Sequence, residues 1–97
     1  MTTKSLLSDE KVCFICGTPC NLHRHHLYPG YGRRQQAERL GLWVYLCADH
    51  HNMSPAGVHN NRELDLMLRR MGQEAFEDQI GTREDFIKVF GRSWLED

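Results

Sequence analysis

Two short knuckles constrain this chain more than anything else in it: Cys13-x-x-Cys16 and Cys47-x-x-His50. Two residues between donors let a pair of side chains converge on one tetrahedral zinc, and two such pairs make a closed Cys3His site. The 30 residues between the pairs exceed compact finger spacing, so something is inserted between the knuckles. Cys20 is worse placed as a ligand and is expected to be a small buried residue. Four cysteines could also form two disulfides. The opening "MTTKSLLSDEK" has no apolar stretch suited to a secretory signal, which favours metal over disulfides and makes a cytosolic protein the expectation.

A chain of 97 residues allows one domain, burying roughly 60–65% of its unfolded surface. A structural zinc worth on the order of 10–16 kcal/mol would dominate the stability of so modest a core. No apolar run approaches the roughly 18 residues of a membrane span. Net charge is −1, but unevenly spread: residues 1–62 carry +3 and residues 63–97 carry −4. A basic front and an acidic back suit a protein that meets a polyanion on one face, although ordinary surface scatter gives the same numbers.

From Val12 to His51 short apolar pieces alternate with Gly17, Pro19, Pro29, Gly30 and Gly32, a pattern of short strands and turns. "NLHRHHLYP" reads as a strand ended by Pro29, and "LWVYLC" as a second strand rich in β-formers. "GYGRRQQAERLG" between them reads as a basic loop with one helical turn. Residues 49–53 open a short helix that Ser54, Pro55 and Gly57 break. Leu64, Met67, Leu68, Met71, Ala75 and Phe76 then recur at helical spacing, predicting a helix over 61–79 that ends at Gly81. Thr82 and Asp85 resemble a capping box for a last helix with Phe86, Ile87 and Phe90 inward and Gly91 as its stop. Trp94 and Leu95 are expected to fold back onto the core. Residues 1–11 read as a loose lead-in.

The histidines separate by geometry. Adjacent residues on an α-helix point about 100° apart, so His50 and His51 do not easily serve one metal. His51 and His59 would lie roughly 12 Å apart on a straight helix, but Pro55 and Gly57 let the chain return. Neighbours on a strand face opposite ways, so of His25 and His26 one can bind metal while the other stays a base. His23 reads as a surface or packing residue. Trp43 and Tyr45 alternate along a strand and read as core.

Taken together, Cys-x-x-Cys, His-His-x-x-Pro and Leu-Cys-x-x-His-His resemble the HNH endonucleases of the His-Me finger class. The text "LHRHHLYPGYGRR…GLWVYLC…HHNMSPAGVH" is similar to a phage-borne subset, small HNH-like proteins related to recombination-enhancement nucleases. The likeness covers about residues 12–60. It implies an α+β fold: one HNH-like domain over residues 1–97, with a zinc-stapled ββα-metal core at 12–60 and a helical C-terminal part at 61–97.

The same resemblance implies roles. His25, His51 and His59 would hold a second divalent metal, Mg2+, Mn2+, Ni2+ or Zn2+, and His26 would be the general base. Imidazole donors favour the transition ions over Mg2+. The expected reaction is hydrolysis of DNA phosphodiesters to 5′-phosphate and 3′-hydroxyl ends in a host cytoplasm. Arg24, Arg33, Arg34 and Arg39 are the candidate phosphate contacts. The family's Asn, which steadies the hairpin, falls on Leu42, leaving a backbone contact, Asn52 or Asn60 to replace it. The alternative is an HNH-like zinc module that binds nucleic acid or a host protein without cutting.

Overall fold

Leu22–His26 (β1) and Trp43–Cys47 (β2) pair antiparallel, with Leu22 opposite Cys47 and His26 opposite Trp43. The computed structural model describes residues 5–28, 30, 32–53 and 57–95, without the side chains of Asn52, Met53 and His59. Strand alternation puts His23 and His25 on the face of Leu46 and Val44, and Arg24 and His26 on the face of Tyr45 and Trp43. At Ser5, Leu6 and Leu7 the lead-in is less loose than expected. Leu6 and Leu7 pack on the core, the Leu6 N–H donates to the Gly41 carbonyl at 2.8 Å, and the Ser5 hydroxyl donates to the Trp43 carbonyl.

The connection between the strands carries a full helix, Arg33–Leu40 (α1), where a single turn was expected. It has almost no apolar face, and of its residues Ala37 alone is buried, so periodicity could not reveal it. Its interior is instead made of good helix formers. Gly41, at φ 79°, ends it in the left-handed conformation with its N–H turned back to Ala37 and Glu38.

Residues 49–53 form one π-helical turn, Asp49–Met53, wider than an α-turn, and a 3-10 turn follows at Val58–Asn60. The long helix is Arg62–Gln79 (α2), capped by the Asn61 side chain, which accepts from the Leu64 N–H at 3.1 Å. Leu68, Ala75 and Phe76 are buried as expected, but Met67 is exposed and the inward face runs over Gly72 and Gln73 instead. Arg83–Phe90 (α3) starts with the predicted Thr82–Asp85 capping box and stops at Gly91. Phe86 and Phe90 point inward, whereas Ile87 is 37% exposed.

The core joins the hairpin to the helices. Tyr28, just past β1, stacks its ring 5.2 Å from Phe86 and 4.5 Å from Phe90, and Phe76 lies 5.3 Å from Phe86. Burial holds the Tyr28 phenol well above its ordinary pKa, so it stays a donor, and it bonds the Arg69 carbonyl at 2.6 Å. Fully buried Gln73 accepts from the Trp94 N–H at 2.7 Å and donates to Glu77 and Ser93, which holds Trp94 against the core.

Gly72 marks the tightest crossing. A Cβ there would come within 2.6 Å of both Leu27 Cδ1 and Tyr28 Oη. We expect Gly72→Ala to destabilise the fold by about 1–2 kcal/mol, because overpacking of about 1–3 kcal/mol outweighs the helix-propensity gain of up to about 1 kcal/mol. Urea unfolding reads this directly, and a more stable variant would show that the crossing has slack.

Candidate functional site

The two knuckles meet. Cys13, Cys16, Cys47 and His50 present ligand atoms that all lie within 4.8 Å of one another, close enough to hold one metal ion. Cys16 Sγ is 3.8 Å from Cys47 Sγ, and His50 Nδ1 is 3.2 Å from Cys47 Sγ and 3.8 Å from Cys13 Sγ. A tetrahedral zinc with Zn–S near 2.3 Å requires S···S edges of about 3.8 Å and S···N edges of about 3.5 Å, so the donor set is compatible with that ion. Burial raises the Cys13 thiol, but the backbone N–H groups of Cys47, Cys16 and Ile15 outweigh it and bring the thiol down to about 6. The Thr18 N–H lowers the Cys16 thiol, yet desolvation and the neighbouring Cys13 and Cys47 thiols leave it above its ordinary value. Cys20 stays outside the group and is exposed, not buried.

The π-helical turn sends its two histidines apart. His50 goes to the cysteines, whereas the His51 ring lies 5.4 Å from His25 and 5.0 Å from His23, with Nδ1 of His51 and His23 2.9 Å apart. His23, read from the sequence as a surface or packing residue, is exposed but belongs to this histidine cluster. The i,i+2 spacing of His23 and His25 was the signal for it. Among the described residues no second group of three donors closes as tightly as the Cys3His one. The His59 side chain lies outside the described residues.

Beside the histidines opens a cleft of about 580 Å³. Arg24, His25 and His26 line it from β1, Arg34 from α1, His51 from the π-turn, and Val58 and Asn60 from the 3-10 turn. Arg62, Asp65 and Arg69 complete it from α2. Among the described residues, four lining guanidinium groups meet one lining carboxylate. Asp65 takes Arg69 through both oxygens, at 3.1 and 3.0 Å, and Arg62 at 3.2 Å. The i,i+3 and i,i+4 spacings of Arg62, Asp65 and Arg69 advertise these pairs, but nothing in the sequence placed them on the cleft.

Of the other arginines proposed as phosphate contacts, Arg33 lies across Gly91 and Arg39 bonds Gln36; neither lines the cleft. Arg24 does, with its guanidinium 3.9 Å above the Trp43 ring and paired to Glu38. His26 Nε2 is 3.1 Å from the other Glu38 oxygen. Leu42 is fully buried, and its carbonyl accepts from the Leu27 N–H at 3.2 Å, a backbone contact across the hairpin next to His26.

Comparisons of the chain with protein-family models, with curated proteins and with solved structures return no match.

Proposed function

We propose that this protein is a metal-dependent HNH-type endonuclease of the phage type that hydrolyses DNA phosphodiesters, with a structural zinc on Cys13, Cys16, Cys47 and His50. The observation that carries the reading is the cleft, which gathers His25, His26 and His51 among four arginines. A concave, cationic site lined by imidazoles suits a phosphodiester: guanidinium groups neutralise phosphates, and an imidazole can act as a general base.

In this reading His25, His51 and His59 hold a divalent ion, which supplies Lewis-acid stabilisation of charge at the scissile phosphate and the leaving oxygen. His26, on the opposite strand face from His25, stays off the metal and takes the proton of the attacking water. Arg34 and Arg62, the more exposed cleft arginines, bind flanking phosphates. Arg24 and Arg69 are held by carboxylates, as Arg62 is, but are far less exposed than Arg62, and they shape the cleft wall.

Supercoiled plasmid incubated with the zinc-loaded protein is expected to be nicked when Mn2+, Ni2+, Mg2+ or excess Zn2+ is added. No cleavage of double- or single-stranded DNA with any of the four would sink the enzyme reading. Substrate binding gives a separate measurement. Replacing Arg34 and Arg62 together by Ala should make the slope of log affinity against log salt shallower by about 1.8, at about 0.9 per phosphate contact on duplex DNA. An unchanged slope would take both residues off the DNA.

The second reading, a zinc module that binds without cutting, draws on Leu42 at the position of the family's Asn. Metal counting separates the two. One tight zinc per chain with no weaker second site favours the module.

A further inference from the structure

We propose that Glu38 is the positioning residue of this site: it fixes the proton of His26 on Nε2 and so turns Nδ1 of that ring into the working base. The inference rests on the nuclease reading for its kinetic consequence, but not for its geometry. Glu38 stands on α1, twelve residues along the chain from His26. One of its oxygens accepts from the Arg24 guanidinium and the other lies 3.1 Å from His26 Nε2.

The carboxylate is itself held. Arg24 stacks 3.9 Å over the Trp43 ring, donates to the Tyr45 hydroxyl at 3.4 Å and pairs with Glu38. The side chains of Arg24, Glu38 and His26 are 27%, 30% and 20% exposed, so each is mostly shielded from solvent by the protein. An ionised carboxylate only accepts hydrogen bonds. His26 must therefore donate from Nε2, which leaves the Nδ1 lone pair to take a proton. A second partner setting the tautomer of a working imidazole is the general way such rings are aimed.

Glu38→Gln makes a sharp test because it keeps the shape and changes the hydrogen-bond logic. Arg24 can only donate, so it claims the amide oxygen, and the amide NH2 then faces His26 Nε2. Nitrogen-15 NMR of the zinc-loaded full chain should find His26 carrying its proton on Nε2 in the wild type and on Nδ1 in Glu38→Gln. Zinc content and thermal midpoint serve as fold controls. In plasmid or oligonucleotide cleavage, kcat should fall by about 10²–10⁴-fold, the range of a lost general base, with KM for DNA little changed. The same tautomer in both proteins would overturn the proposal, as would a wild-type His26 protonated on Nδ1, a result that needs no variant. Absence of cleavage in the wild type would remove the nuclease reading and leave the tautomer measurement standing.

Discussion

Stripping the metal from Cys13, Cys16, Cys47 and His50 is expected to unfold the whole domain rather than loosen one loop. A structural zinc of this type is worth on the order of 10–16 kcal/mol at neutral pH, whereas a domain of this size has a net stability of about 5–15 kcal/mol. The effect cannot stay local, because Cys13 and Cys47 sit in the same buried cluster as Leu27, Leu68, Phe76 and Phe86.

Circular dichroism during addition of a strong chelator should lose the cooperative thermal transition, and one equivalent of zinc should restore it. Cys47→Ser, which removes a buried ligand, should behave like the chelated wild type. A chelated protein that melts at its original midpoint would show that the four donors are packed without dependence on an ion.

What the sequence disclosed follows from how local each signal is. The knuckles are i,i+3 pairs, so their convergence needed only the two strands to bring them together; a β-former run announced the second strand, and Pro29 marked the end of the first. The caps at Thr82 and Gly91 are local too. The helix α1 was missed because its polar sequence has no inward stripe, and with it went Glu38, whose meeting with Arg24 and His26 depends on where that helix lands. Leu42 illustrates the opposite case. Its side chain signalled a missing hydrogen bond, while the contact made by its carbonyl to Leu27 is a main-chain property that residue identity does not encode. Met67 and Ile87 satisfied helical periodicity yet lie at the exposed margins, since period alone does not fix the width of the buried face.

His26→Ala should abolish nicking while leaving the fold in place. A general base contributes about 10²–10⁴-fold, and that factor should appear in kcat. The ring is 20% exposed and lies outside the core cluster. Its loss leaves Glu38 still paired with Arg24, so the cost in stability should stay near the about 0–1 kcal/mol of a surface ion pair. His25→Ala is the informative contrast. His25 is 7% exposed and pairs with Val44 in the strand ladder, so its removal should cost stability as well as affinity for the second metal. Raising the divalent concentration should then recover part of the activity of His25→Ala and none of that of His26→Ala, because added ion substitutes for a lost ligand and not for a lost base. Cleavage by His26→Ala within a few-fold of wild type would move the base to another residue of the cleft. Equal rescue of both variants by metal would place His26 among the ligands, and the division of labour between the two faces of β1 would have to be redrawn.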